Sequence, residues 1–412
     1  MTAKLRSLLL QGVHAVPIDL EVDLLQRLPS FVIVGLPGGT VRESAERVRS
    51  AITESGFEFP RKRVVINVGP TDLPKTGTNL DLAMAVGILL ESKQLPADYD
   101  GIPWEQIVFH GDLSLGGEVH PARGGAAGGA MVAQQKGSFL MGSPEVAEMA
   151  KAMGAQALPL RYLSHLLRPR PGVSASRVAP VEVWQGARPT GLRLSDIRGH
   201  SEELLDKLAL AASTRQTIIL RGAPGCGKTM IASRLAQLLG PLPLTEQREV
   251  FQIHEAAGLV HGQVPETVRR PFRAPHHTVS VAGLIGTIGL RPGEVTLAHR
   301  GVLFLDELAE FSQHAIELLR GAHERREVVV TRASGTVRMP ADCWLVAAVN
   351  PCFCGFNGSF STPCSCSSDA VARYSARWKS MLPDAVVIDV PTLSREAVVN
   401  GAPWPDRVAP PF

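Results

Sequence analysis

Gly222-Ala223-Pro224-Gly225-Cys226-Gly227-Lys228-Thr229 fits the spacing G-x-x-x-x-G-K-[ST]. Glycines so placed let backbone N–H groups turn inward around phosphate oxygens. The lysine brings a mobile cation to the β/γ oxygens, and the threonine offers a hydroxyl to Mg²⁺. Farther along, Val302-Leu303-Phe304-Leu305 runs apolar into Asp306 and Glu307. Asp306 is placed to hold Mg²⁺ mostly through water, and Glu307 to orient and deprotonate an attacking water. A glycine loop or an acid-tipped strand alone has an ordinary structural explanation; in this order the two point to ATP binding. A different chemistry is offered by Cys352-Phe353-Cys354 and Cys364-Ser365-Cys366 across a Gly/Ser-rich loop. Four thiolates can close a tetrahedral Zn²⁺ site, although one intervening residue is tighter than the usual knuckle. Disulfides or free thiols are the alternatives.

Elements must position these groups. Residues 216–221 (QTIILR) read as a β-branched strand, 230–239 (MIASRLAQLL) as a helix starting at the phosphates, and 343–349 as a buried-type strand ending at Asn350. Upstream, Val16, Ile18, Leu20, Val22 and Leu24 alternate as in a half-buried strand, and Phe31-Val32-Ile33-Val34 reads as another. Val41, Ala45, Val48 and Ile52 recur at helical spacing; 63–68 reads as a strand, 80–90 as an apolar helix, 106–115 and 117–120 as further strands. This is an α+β domain over 1–168. Residues 169–194 are rich in Pro, Gly and Ser without a period, a linker. Ser195 then leads towards a helix carrying Leu204, Leu205, Leu208 and Leu210.

The 412 residues suffice for two or three domains. With 45% apolar and 20% charged residues the chain reads as soluble and globular, and a net charge of +3 leaves nucleic-acid binding to local patches. Aromatics at 5% argue against extensive base stacking. No apolar run spans a membrane and no signal peptide opens the chain, so a cytoplasmic location is expected.

Leu73-Pro74-Lys75-Thr76-Gly77-Thr78-Asn79-Leu80-Asp81 with Gly117-Glu118-Val119-His120-Pro121 resembles the frame of the Lon protease domain, of the ribosomal S5 domain 2-like kind. Asn79 stands where that family has its serine, and Arg123-Gly124-Gly125-Ala126-Ala127-Gly128-Gly129 lacks its lysine. A serine–lysine dyad needs both groups, so a structural or assembly role is expected in place of peptidase activity.

The resemblance of the whole is closer. Arg270-Pro271-Phe272-Arg273-Ala274-Pro275-His276-His277-Thr278-Val279-Ser280, Arg291-Pro292-Gly293-Glu294, Gly301 to Leu308, Thr331 to Thr336 and Asn350-Pro351-Cys352 are similar to the magnesium-chelatase-like AAA+ ATPases. Val34-Gly35-Leu36-Pro37 and Arg47-Val48-Arg49-Ser50-Ala51 narrow this to the YifB/ComM group, which joins a Lon-like domain to an AAA+ module. The resemblance implies an α/β fold: a Lon-like α+β domain, then a P-loop AAA+ module at 195–392 with a parallel sheet flanked by helices. It makes Asn350 a sensor 1 and puts adenine near Ile197 and Gly199. It implies a ring, a homo-hexamer or a hetero-assembly with a lid-bearing subunit, that drives branch migration on DNA without reading its sequence. The candidate DNA contacts are the insert 272–296 and the hairpin 327–339, with Arg325, Arg326, Arg332 and Arg338; inter-subunit ion pairs are the alternative. His276 and His277, adjacent and so expected to point in different directions, read as insert structure and not as a metal site.

Two departures qualify the activity. The family presents an arginine to the neighbouring subunit's nucleotide where this chain has Asp384-Ala385, with Arg373 and Arg377 nearby. Residues 393–412 read as a Pro-rich tail in place of the helical lid that carries sensor 2. Because an arginine finger contributes several orders of magnitude to phosphoryl transfer, nucleotide binding with slow or absent turnover by the isolated chain is expected.

Overall fold

A computed structural model describes residues 2–35, 38–70, 79–167, 193–260, 264, 268–287, 291–332, 335–358 and 362–406. The stretch Leu73 to Thr78 of the Lon-like frame, Leu36-Pro37, residues 169–192 of the linker, the hairpin tip Ala333-Ser334, residues 359–361 between the cysteine pairs and 407–412 lie outside the described residues.

The first sheet rests on a strand that its sequence pattern conceals. Strands β1 (Ala3–Gln11) and β2 (His14–Leu25) form a long antiparallel hairpin, Ala3 opposite Val22 and Gln11 opposite His14. The alternation expected of β2 is present: Ile18, Leu20 and Val22 are buried, Asp19 exposed. No alternation marks β1, because both its faces are covered. Leu5 and Leu9 lie in one core, and Leu8 lies in another with Val108, Leu140 and Val146; a strand covered twice loses its period of two. With β3 (Ser30–Val34), β4 (Arg63–Gly69), β5 (Ile107–His110), β6 (Phe139–Gly142) and β7 (Gln156–Pro159) the order is β7-β6-β5-β1-β2-β4-β3. Helices α1 (Gly38–Glu54) and α2 (Asp81–Glu91) pack on the Leu5–Leu9 face, and α3 (Gly125–Ala133) and α4 (Pro144–Ala152) on the other. The strands expected at 106–115 and 117–120 are shorter than their apolar runs, because the turn from Ser114 to Gly117 closes a two-residue ladder of Asp112–Leu113 with Val119–His120.

The second sheet comprises β8 (Ile218–Arg221), β9 (Phe272–Arg273), β10 (Val302–Leu305), β13 (Trp344–Val349) and β14 (Val386–Asp389), in the order β9-β10-β13-β8-β14, all neighbours parallel. Every residue of β10 and β13 is buried, which is why both read as unbroken apolar runs. Between them β11 (Glu327–Arg332) and β12 (Gly335–Pro340) form a separate hairpin. Helices α5 (Glu202–Thr214), α6 (Lys228–Ala232), α7 (Leu244–Ala256), α8 (Gln313–Arg325), α9 (Ser368–Met381) and α10 (Arg395–Asn400) surround this sheet.

Three expectations change here. The helix expected over 230–239 is only α6 followed by a 3₁₀ turn, Leu235–Leu239. The Met230 carbonyl accepts from Ser233 Oγ (2.8 Å) and Arg234 Nη1 (2.9 Å), so side-chain donors compete for an acceptor the α-helix needs. Phe272 and Arg273, read as the start of an insert, are the edge strand of the second sheet. The segment 393–406, read as a tail, folds back: Ser394 caps α10, and Trp404 is 2% exposed with its backbone N–H on Ile197 O at 2.9 Å.

The two halves meet along α7. Phe251 is buried among Ala126, Met149, Ala152 and Met153. Gln252 Nε2 donates to Val13 O at 2.7 Å and Arg248 Nε to Ala152 O at 3.0 Å. Val13, at the tip of the β1–β2 hairpin, enters the core formed by Val328, Val337 and Met339 of β11 and β12. The glycine-rich run from Gly125 opens α3. A Cβ on Gly129 would lie 2.6 Å from Ala150 Cα, so small residues are required for this helix to reach α4. Asn79 Nδ2 donates to Leu8 O at 3.1 Å and so pins β1. No helix among the described residues is long and apolar enough to cross a membrane.

Candidate functional site

Parallel strands deliver their carboxyl ends to one edge, and there the sheet gathers residues distant in sequence. The pairing of Arg221 with Val349 and of Leu305 with Ala347 sets the 222–229 loop after β8 beside Asn350 after β13, with Asp306 and Glu307 after β10 next to it. Lys228 Nζ donates to Gly222 O (2.7 Å), Ala223 O (3.1 Å) and Asn350 Oδ1 (3.1 Å). Thr229 Oγ1 donates to Asp306 Oδ2 at 2.8 Å. The hydroxyl and the carboxylate read as Mg²⁺ groups therefore meet, and the lysine meets the proposed sensor. The loop itself fits an anion: Gly225 (φ +78°) and Gly227 (φ +96°) are left-handed, and a Cβ on Gly225 would meet nothing within 4 Å. Pro224 and Cys226 complete the loop, Cys226 buried at 6% exposure.

The base of the loop is fixed by an ion pair that the sequence did not announce. Arg221 Nε and Nη2 donate to both oxygens of Asp389 at 2.6 and 2.8 Å, holding the Asp389 carboxyl below its usual range. Glu307 has φ 53°, left-handed for a non-glycine residue, so its carboxylate leaves the strand direction beside Asp306, whose Oδ1 accepts the Glu307 N–H at 3.0 Å. Opposite stands His277, its Nδ1 3.8 Å from Glu307 Oε2. The two adjacent histidines do not diverge as expected. Their rings lie 4.1 Å apart, because a turn closed by Val279 N–H on His276 O replaces extended backbone. No local signal marked His277 as a neighbour of the acidic strand.

At the far side of the loop, Ile197 is buried and Gly199 packs against Ala397 O. Trp404 Nε1 donates to His200 O at 3.1 Å, and burial lowers the His200 pKa. The C-terminal segment thus covers the turn at which the family resemblance puts the base.

The four cysteines converge, their Sγ atoms all within 4.8 Å of one another. The basic hairpin is less free than its sequence suggests. Arg338 Nη1 pairs with Glu327 at 2.8 Å, Arg326 lies 3.8 Å from Asp342, and Arg325 is exposed; the Arg332 side chain lies outside the described residues. Arg273 in the insert is held by both oxygens of Glu294 at 2.6 and 2.7 Å, whereas Arg291 is exposed. Arg373 and Arg377 are exposed one turn apart on α9, whose buried face carries Tyr374 and Trp378.

The family model described as magnesium chelatase, subunit ChlI, matches residues 193–398, and one described as subunit ChlI of Mg-chelatase matches residues 20–143. Competence protein ComM of Haemophilus influenzae is 34% identical over 401 residues, covering 94% of this chain and 76% of its own length. The uncharacterized protein YifB of Escherichia coli is 33% identical over 377 residues, covering 88% and 70%. An uncharacterized protein of Mycobacterium tuberculosis is 35% identical over 394 residues, covering 93% and 75%.

Proposed function

The chain belongs to the magnesium-chelatase-like family that includes ComM and YifB, and from that premise we propose that it is an ATP-binding AAA+ protein acting on DNA. The observation that carries the nucleotide reading is the meeting of Lys228 with Asn350 and of Thr229 with Asp306, four residues from three strand ends. In this reading the N–H groups of residues 222–229 cradle the phosphates. Lys228 exchanges its loop carbonyls for phosphate oxygens, Thr229 and Asp306 hold Mg²⁺, Asn350 orients, and Glu307 accepts a proton from water at its carboxylate. ATP bound with Mg²⁺ supplies the phosphoryl group. Zn²⁺ at the four cysteines completes the cofactor set.

The first 168 residues serve as a Lon-like platform without a serine–lysine dyad, joined through the 169–194 linker to an AAA+ module that assembles into a ring, homomeric or mixed, in the cytoplasm. The DNA reading is supported by the ComM-group resemblance, and Arg291, Arg325 and the hairpin are its contact candidates. They would meet phosphates without reading bases. A second reading, a nucleotide-binding subunit with little turnover, is favoured by Ala385 at the place of the family's arginine. One assay separates the two: ATP hydrolysis with and without branched DNA, with Lys228→Ala as control. Stimulation by DNA supports the first; binding without hydrolysis in either condition supports the second; absence of ATP binding refutes both.

A further inference from the structure

Three of the sulfur separations in the cysteine cluster are 3.4 Å (Cys352–Cys354), 3.6 Å (Cys352–Cys364) and 3.5 Å (Cys354–Cys364). Zn–S bonds of about 2.3 Å at tetrahedral angles put neighbouring sulfurs about 3.8 Å apart, so the thiols already stand near the corners a single ion needs. All six cysteines are free, which leaves these four available as ligands. Backbone donors face the sulfurs: Asn357 N–H to Cys352 Sγ at 3.3 Å, Cys354 N–H to Cys366 Sγ at 3.4 Å and Cys366 N–H to Cys364 Sγ at 3.4 Å. Donors so placed offset the excess negative charge of four thiolates around a divalent ion. An all-sulfur tetrahedral set suits zinc and is foreign to Mg²⁺.

The cluster also touches the phosphate loop. Gly355, at φ +86°, turns the chain within the first cysteine knuckle, and a Cβ there would lie 2.6 Å from Cγ and Cδ of Pro224. Only a bare Cα lets the knuckle lie against the proline ring in the middle of the loop. The same knuckle begins two residues after Asn350, and Phe353 packs edge-on to Tyr374 with ring centroids 4.8 Å apart. An ion fixing the knuckle would therefore fix one wall of the loop and the neighbourhood of Asn350 together.

We infer that Cys352, Cys354, Cys364 and Cys366 hold one Zn²⁺ and that this ion braces the phosphate loop through the contact of Gly355 with Pro224. The bracing half rests on the reading of residues 222–229 as a nucleotide site; the metal half does not. Without the ion the knuckle and the loop wall have to be ordered by the nucleotide itself, and ordering even one residue weakens binding by roughly ten-fold.

The full chain, purified under reducing conditions without chelator, is analysed for metals by mass spectrometry and titrated with a fluorescent ATP analogue. It is then stripped of metal with a mercurial, reduced, and titrated again before and after Zn²⁺ is returned. Expected are about one zinc per chain, an affinity loss of roughly ten-fold or more on stripping, and recovery with Zn²⁺. The variant Gly355→Ala should keep its zinc and still bind nucleotide more weakly. No zinc with four titratable thiols, or iron in its place, overturns the metal assignment. Zinc present but affinity unchanged by stripping and by Gly355→Ala overturns the brace. If the zinc-loaded protein and Lys228→Ala both fail to bind the analogue, the nucleotide reading has failed while the metal assignment stands.

Discussion

Glu255 of α7 offers the sharpest test of how the two halves are joined. Its side chain, 2% exposed, accepts the Gly124 N–H at 2.8 Å at the start of α3, and the N–H groups of Gly125 and Ala126 face the same carboxylate. Two effects oppose each other there. Burial disfavours the charged form, and Glu255 Oε2 has no hydrogen-bond partner among the described residues, whereas donors at a helix start, with Arg123 nearby, favour it. Burial wins, and the pKa is pushed up from 4.5 to about 7. Because the folded value lies above the unfolded one, the stability this group contributes is complete below pH 4.5 and is lost as pH rises through 7. The span between the two values corresponds to about 3 kcal/mol. Glu255→Gln keeps an acceptor and removes the charge. At pH 4.5 variant and wild type should therefore unfold alike, and at pH 8 the variant should be the more stable by about 3 kcal/mol, or about 6–12 °C in melting temperature for a domain of this size. Thermal denaturation of both proteins across that range, followed by circular dichroism, checks it. A difference that does not change with pH, or a glutamine that becomes relatively worse as pH rises, would show that the helix donors win and would refute the argument.

Other expectations concern the edge proposed for nucleotide. Lys228→Ala removes the cation held by Gly222, Ala223 and Asn350, and should weaken binding of a fluorescent ATP analogue by about 100-fold, the equivalent of one or two charge-assisted hydrogen bonds. Glu307→Gln should leave that affinity within about three-fold and lower any measurable hydrolysis by about 100-fold or more, as loss of a general base does; equal loss of both would place Glu307 in binding. Trp404→Ala should destabilise the AAA+ half by about 3–5 kcal/mol in urea denaturation, because a buried indole and its bond to His200 are lost. A change below about 1 kcal/mol would mean that residues 394–406 are not docked on the 197–200 turn in solution.

The edge proposed here for nucleotide could be read from sequence because the chemistry proposed for it demands local spacing. A phosphate cradle needs its glycines and lysine within one loop, and an acidic strand tip must follow an apolar run that is buried on both faces. The cysteine pairs were legible for the same reason. What was lost lay in groups whose meaning depends on partners far along the chain. Nothing near β1 says that helices cover both its faces, and nothing near Trp404 says that His200 will accept its indole N–H. His277 and Glu307 are separated by thirty residues, and only the parallel pairing of β9 with β10 sets their segments side by side. The broken helix after Ala232 depended on Arg234, which bends back to Met230 only because Arg193 O and Asp196 stand ready for the rest of its guanidinium. Sequence by itself determined the glycine–lysine–threonine spacing of residues 222–229 and the two cysteine pairs, since such patterns are short-range and set by residue type. Tertiary structure alone decided that Lys228 meets Asn350, that Gly355 bears on Pro224 and that Glu255 closes the joint, because each contact forms between segments that only packing brings together.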